Sequence, residues 1–369
     1  MSNDKDKLWY RAARAISKAS QMPVNITDTV LDLLKLLLTE EQAKFLLIFK
    51  KPTLNIDEIK EATDLDEKAL NEMLDGLMKG GIIVGAASKR TGIMVYRLMP
   101  FWPGIFEYQF LRGTYGEKDK QKAELFEKLF EETQQAIQKN YDSMMKQFEH
   151  FPAIDRTIPV EKHIDPGSEG VMPYEELKKY IENYDDIAVA NCYCRHEKEL
   201  LNDPCKLNAP KDNCFFFDKS AKFVIEHEFG KPISKEDALE VFRKAEDHGL
   251  VHKVFHVHLD TNRGIEAICN CCKCCCGPLQ MYYRGAAPFH TVTSYLAKLD
   301  EEKCIGCGTC VKMCPMETIE LNDAIAQINE EKCIGCGVCA HHCTEEAIYL
   351  ERTGPRDVFI LPPRIESTD

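Results

Sequence analysis

The sequence predicts an α+β fold in several domains: a helical N-terminal domain closed by a β-hairpin, a cysteine-rich α+β middle domain, and a C-terminal domain built on a repeat. Three observations carry this. Apolar residues recur at helical spacing from Val30 to Leu77, and two short apolar runs follow them. All 18 cysteines fall at or after Cys192. The segment Lys303–Leu321 returns as Lys332–Leu350, a period of 29 residues.

The bulk numbers narrow the setting. A chain of 369 residues, 44% hydrophobic and 29% charged, has apolar material for two or three ordinary cores. Its opening, MSNDKDKLW, is charged and shows neither an apolar h-region nor a cleavage site. No apolar run approaches the ~18 residues needed to span a bilayer. The longest, around Leu31–Leu38 and Phe45–Phe49, are interrupted by Lys35 and Lys44. Cysteines in such a chain read as reduced thiols that hold metal in a cytoplasmic protein, rather than as disulfides. The net charge of −13 argues against nucleic acid and for a redox partner protein with a basic docking face.

The elements follow in order. Residues 1–24 hold a helix from Trp9 to Ala19. In 25–100, Val30, Leu31, Leu34 and Leu37, then Ala43, Leu46 and Leu47, mark two helical stretches. Asn55 with Glu58 forms a capping box for a short helix. Asp66 caps the next, which carries Leu70, Met73, Leu74 and Leu77 on one face and ends at Gly80-Gly81. Strands Ile82–Val84 and Ile93–Leu98 then form a hairpin. This order resembles a winged helix-turn-helix, which implies a DNA-binding or docking role. The helix that would enter the major groove carries Asp66, Glu67, Glu72 and Asp75 against Lys68 and Lys79, a poor charge balance for phosphates.

Residues 101–172 are a helical connector and linker, with a polar helix from Glu117 to about His150 and a proline-rich stretch from Phe151 to Pro173. Residues 173–295 form a metal-binding domain. It has helices at Tyr174–Tyr184, Lys219–Phe229 and Ser234–His248, and strands at Ile187–Ala190, Leu250–Val257 and Ile265–Ile268. Residues 354–369 are a C-terminal tail.

Residues 296–353 carry the repeat. Its halves read KCIGCGTCVKMCPMETIEL and KCIGCGVCAHHCTEEAIYL, each with the spacing C-x2-C-x2-C-x3-C. This stretch resembles the bacterial two-cluster ferredoxins. The resemblance implies two 4Fe-4S clusters, one held by Cys304, Cys307, Cys310 and Cys343, the other by Cys314, Cys333, Cys336 and Cys339. Gly306, Gly308, Gly335 and Gly337 let backbone amides approach the sulfurs. Pro315 follows Cys314 as in that family, but Thr344 follows Cys343, so a shifted local geometry is expected there. His341 and His342 read as exposed helix residues.

The remaining ten cysteines are Cys192, Cys194, Cys205, Cys214, Cys269, Cys271, Cys272, Cys274, Cys275 and Cys276. Six thiols within eight residues exceed any packing use of free cysteine. Read as an extended ribbon, Cys272 and Cys274 share one face and Cys271 and Cys275 the other. Ten thiols suffice for one or two further iron–sulfur clusters, with zinc or a redox dithiol as lesser alternatives. With CYCRH at 192–196 and CNCCKCCCG at 269–277, the chain resembles 4Fe-4S dicluster proteins of anaerobic bacteria. Arg195, Lys273 and Arg284 flank these segments. His252, His256 and His258 lie on a strand, with His256 and His258 reading as a solvent-facing pair.

Function then reads as electron transfer between the clusters and a partner redox enzyme. No nucleotide loop, flavin fingerprint or assembled catalytic constellation names a catalytic residue. Two alternatives remain: a reductase acting on a disulfide or thioester at the middle domain, and a redox-sensing DNA-binding regulator.

Overall fold

The structure is a computed structural model that describes residues 2–20, 24–164, 176–256 and 264–365. The chain divides into two compact units. One comprises Met1–Thr133, His196–Asp203 and Phe223–Gly230; the other comprises Gln134–Arg195, Pro204–Lys222 and Lys231–Asp369.

The first unit opens with α1 (Ser2–Lys18), α2 (Asp28–Leu37) and α3 (Glu40–Phe45). Trp9, Ala12, Ala13 and Ile16 recur on one face of α1 and are buried. Strand β1 (Thr53–Asn55) leads into α4 (Ile56–Glu61). The capping box is formed: the Asn55 amide donates to Glu58 at 2.9 Å, and the Glu58 amide donates to Asn55 Oδ1 at 2.9 Å. At the head of α5 (Glu67–Lys79), Asp66 accepts from the Ala69 amide at 2.8 Å. Gly81, at φ +66°, turns the chain into β2 (Ile83–Ala87) and β3 (Met94–Leu98). The sheet order is β1-β3-β2, all antiparallel, with Leu54 opposite Tyr96. Three residues of β1 are too few to show an alternation in the sequence.

Helices α6 (Phe106–Phe110) and α7 (Glu117–Lys139) follow. Phe106 packs edge-on against Phe110, Phe126 and Phe130, with ring centres 5.1–5.4 Å apart. The expected single helix from Glu117 to His150 is instead two, because Asn140 leaves the helical region (φ −122°, ψ 27°) before α8 (Tyr141–Phe148).

The second unit is organised by one eight-stranded sheet. Its strands are β4 (Asp155–Ile158), β5 (Ile187–Asn191), β6 (Asp212–Phe217), β7 (Lys231–Pro232), β8 (Val251–His256), β9 (Ile265–Cys271), β10 (Phe289–Leu299) and, after the hairpin β11 (Ile319–Asn322) and β12 (Ile325–Ile328), β13 (Ile348–Ile360). The order is β13-β10-β4-β8-β9-β6-β5-β7, antiparallel except for β10 with β4. Helices α9 (Leu177–Glu182), α10 (Tyr193–Leu200), α11 (Asp218–Glu226) and α12 (Lys235–Asp247) follow one another in the chain, and α9 and α12 supply Leu177, Ile181 and Phe242 to the core. There they meet Ile187, Val189, Phe215, Phe217, Val254 and Ile268, and the Phe215 and Phe242 rings stack at 4.2 Å.

The period of two then dictates the other face. Phe215 pairs with Ile268 in the apolar layer, so their neighbours Cys214 and Cys269, also paired, turn the opposite way. Lys253, opposite Cys269, and Cys271, two residues on, share that side. One face of the sheet is therefore hydrophobic and the other carries thiols.

Three expectations are corrected. Strand β10 runs from Phe289 to Leu299, through the boundary expected at 295/296. The connector at 101–172 contains β4, a member of the sheet. The tail is structured as far as residue 365: β13 runs to Ile360, the Tyr141 hydroxyl donates to the Pro362 carbonyl at 2.5 Å, and Arg364 pairs with Asp142. These segments read as connections because strand pairing over such separations leaves little local signal.

Candidate metal centres

The two halves of the repeat fold alike. Each places a left-handed glycine before a short helix: Gly308 (φ +73°) before α14 (Thr309–Met313), and Gly337 (φ +75°) before α15 (Val338–His341). After the fourth cysteine each half makes the same turn. The Thr318 amide donates to Cys314 Sγ at 3.4 Å, and the Ala347 amide to Cys343 Sγ at 3.3 Å. Glu317 and Glu346 have φ of +53° and +49°. The halves differ just before that turn: the Cys314 amide donates to the Cys310 carbonyl at 3.0 Å, four residues back, and the Cys343 amide to the Ala340 carbonyl at 3.2 Å, three back, while the turn itself is unchanged. The backbone hydrogen bonds to sulfur define this turn, and threonine leaves them intact.

Two cavities lie among these cysteines. Cys314, Cys333, Cys336 and Cys339 line one, with free space of about 340 Å³ including its opening. Cys304, Cys307, Cys310 and Cys343 line the other, with about 370 Å³. Each draws three cysteines from one half of the repeat and one from the other. The first is the deeper, and burial pushes the Cys333, Cys336 and Cys339 thiols up. The second lies near the surface. Cys307 is exposed, and its contact with the Thr309 hydroxyl holds its thiol below the ordinary range.

Gly335 lies between Ile334 and Cys336, which line the deeper cavity; it has φ +62° and donates its amide to Cys333 Sγ at 3.4 Å. A methyl group there would stand 2.1 Å from the Tyr295 carbonyl oxygen. Gly92 has φ +70° with nothing within 4 Å. Gly335→Ala is therefore expected to destabilise well beyond the roughly 1 kcal/mol that left-handed backbone costs alanine, whereas Gly92→Ala should cost only that amount. Thermal unfolding of both variants checks this; equal losses would contradict the close approach.

The middle cysteines divide into two groups. The extended ribbon expected across 271–275 is not formed. β9 ends at Cys271 and the chain turns, with the Cys276 amide donating to the Cys272 carbonyl at 3.0 Å. The turn brings Cys272, Cys274 and Cys275 together with Cys205, their sulfurs all within 4.8 Å of one another. The other six thiols run as a belt of neighbours, Cys194–Cys192–Cys214–Cys269–Cys271–Cys276. Its ends are tied at the start of α13 (Gly277–Tyr283), where the Gly277 amide donates to Cys194 Sγ at 3.2 Å.

Two buried cations serve this region. Arg195 donates to the carbonyls of Pro210 (3.1 Å) and Asn270 (2.8 Å). Burial works against its charge, but Cys192, Cys272, Cys205 and Cys214 outweigh that and hold the guanidinium protonated. Lys253 is a site residue that the motif spacing does not single out, although a lysine inside the apolar strand VHKVFH is a visible signal. It pairs with Asp155 at 2.7 Å, both 1% exposed. Burial opposes its charge too, and Asp155, Cys276 and Cys271 raise its pKa in spite of it.

The other flanking residues settle simply. Lys273 pairs with Glu317, and Arg284 caps α13. His252 lies on the apolar side of the sheet, 2.5 Å from Asn270 Oδ1 and 3.3 Å from Glu246. His256 is 3% exposed, not solvent-facing as expected. His258 lies outside the described residues. His341 and His342 are half-buried rather than exposed, and His341 pairs with Asp247 at 3.1 Å.

Residues 296–344 match the family model of the 4Fe-4S dicluster domain. The C-terminal region is a 4Fe-4S dicluster ferredoxin domain. Over 45 residues the chain is 47% identical to Ferredoxin-3 of Rhodobacter capsulatus, covering 12% of this chain and 43% of that protein. Over 77 residues it is 36% identical to a component of the ion-translocating oxidoreductase complex of Methanosarcina acetivorans, covering 21% of this chain and 28% of that one. The chain thus spans less than half the length of either relative. No solved structure gave a significant match. The dicluster domain and these likenesses support 4Fe-4S clusters and an iron–sulfur electron-transfer function. Among the described residues, no helix is long and apolar enough to cross a membrane.

Proposed function

We propose that the chain is an electron carrier whose two 4Fe-4S clusters are held by Cys304, Cys307, Cys310 and Cys343, and by Cys314, Cys333, Cys336 and Cys339. The observation that carries this is the pair of cavities, each lined by one of these sets of four. When bound, such clusters supply one-electron redox chemistry. The protein's own part is to aim amides at sulfur, as Gly335, Thr318 and Ala347 do, and to set how much water reaches each site.

The Cys307 side is the natural docking edge for a redox partner. Ile305 is 65% exposed there, and Glu301, Glu302, Glu345 and Glu346 are exposed around it. Residues 301–350 hold nine acidic and three basic side chains, which suits a partner with a basic face. The six-thiol belt, flanked by Arg195 and Lys253, offers ligands for one additional cluster. The turn beside it is tied to the dicluster domain: Lys273 pairs with Glu317, and the Tyr283 hydroxyl donates to the Pro315 carbonyl at 2.6 Å.

The segment from α2 to β3 is read as a winged-helix module that docks protein rather than DNA. On α5 both lysines are engaged, Lys79 with Asp75 at 2.9 Å and Lys68 with Glu72 at 4.0 Å. That leaves little free positive charge for a phosphate backbone.

Iron and acid-labile sulfide counting on anaerobically purified protein tests the reading. More than about eight irons per chain is expected, about eight from the dicluster domain and the excess from the belt. A count near eight would remove the additional cluster, and a count well below eight would overturn the carrier itself.

A further inference from the structure

The four sulfurs of Cys205, Cys272, Cys274 and Cys275 differ from the eight of the dicluster domain. Cys205 lies 3.8 Å from both Cys272 and Cys274; Cys274 lies 3.6 Å from Cys272 and 3.7 Å from Cys275. A tetrahedral ion bound to thiolates at about 2.3 Å sets its sulfurs about 3.8 Å apart. Cubane ligands must instead leave room for four irons and four sulfides, and the dicluster cysteines do so around their cavities. Among the described residues, this is the single group of three or more metal-ligating side chains drawn this tightly together. No disulfide joins them: the four thiols are free, and their sulfurs stand 3.6–3.8 Å apart against the ~2.05 Å bond.

We propose that Cys205, Cys272, Cys274 and Cys275 bind one mononuclear zinc ion in a closed tetrathiolate site, distinct from every iron–sulfur cluster of the chain. Four protein ligands leave no open position, which marks a structural rather than a catalytic site. An all-thiolate tetrahedron suits zinc, and divalent zinc outcompetes divalent iron for a common ligand set. The ion would fasten the irregular segment between α10 (Tyr193–Leu200) and β6, which carries Cys205, onto the turn that follows β9. Four thiolates around a dication leave net negative charge. Arg195, 2% exposed and within electrostatic reach of Cys205 and Cys272, supplies the compensating cation, and its Nε meets no acceptor among the described residues.

The full-length protein, purified anaerobically without added metal, is expected to contain about one zinc per chain besides its iron. X-ray absorption at the zinc edge should show a single shell of four sulfurs near 2.3 Å. Cys205→Ser is expected to lose that zinc while iron and sulfide stay unchanged. The absorption measurement on unaltered protein keeps the test valid where the variant fails to fold. Absence of zinc from the unaltered protein, nitrogen or oxygen in the shell, or loss of iron and sulfide in place of zinc from a folded variant would each overturn the proposal.

Discussion

Cys314→Ser and Cys336→Ser are expected to remove the same cluster, although the two residues sit in different halves of the repeat. Each should lower the iron content by about four atoms per chain and leave the same residual spectrum after reduction. Cys310→Ser and Cys343→Ser should form a second pair with the complementary spectrum. The reason is geometric. Cys314 ends the first helix of the repeat, yet it lines the cavity of Cys333, Cys336 and Cys339. Cys343 crosses in the reciprocal sense. Iron analysis with electron paramagnetic resonance of the four variants decides the matter. If Cys314→Ser instead matched Cys310→Ser, each half would hold its own cluster and the proposed ligand sets would be wrong.

Lys253→Met is expected to lower stability by roughly 3–5 kcal/mol, the usual cost of leaving one member of a buried ion pair alone. Asp155 would keep its Thr291 hydroxyl at 2.7 Å but lose the ammonium at 2.7 Å. The double variant Lys253→Met/Asp155→Leu should recover most of the loss, because apolar replacement of a whole buried pair is often near neutral. Chemical denaturation under anaerobic conditions measures both. Lys253 also faces Cys271 and Cys276. A double variant that regains stability but has lost iron would assign the lysine to the thiol belt; one that keeps its iron would make it purely structural.

Local features are legible in the sequence. Asn55, Glu58 and Asp66 cap their helices as expected, because a cap depends on residues three positions apart. Ser234 caps α12 in the same way, accepting from the Asp237 amide at 3.1 Å. The repeat is legible because ligand spacing is itself local. What escapes the sequence depends on distant partners. The alternation in β10 and β13 acquires meaning only when the two strands pair from Phe289–Ile360 to Leu299–Ile348. The burial of His256 is set by neighbouring strands, which the local pattern does not show. The run from Cys271 to Cys276 suggests a ribbon because cysteine favours neither strand nor turn strongly. Cys205 carries no signal linking it to residues nearly seventy positions away.

Strand β10 has a last consequence. Its Thr291 hydroxyl holds Asp155 beneath the thiol face, and four residues later its Tyr295 carbonyl abuts Gly335 at the deeper cavity. One continuous strand thus spans both chemistries. A free ferredoxin ferries electrons by diffusing between partners; this one is woven into a larger sheet and cannot swing out on a tether. The strands on either side of the repeat are fixed in that sheet, so the dicluster domain moves with it as one piece. A fragment cut at the start of the family match would begin in mid-strand and lose the first part of β10, Phe289 to Tyr295, which pairs with Ile360 to Arg352 of β13.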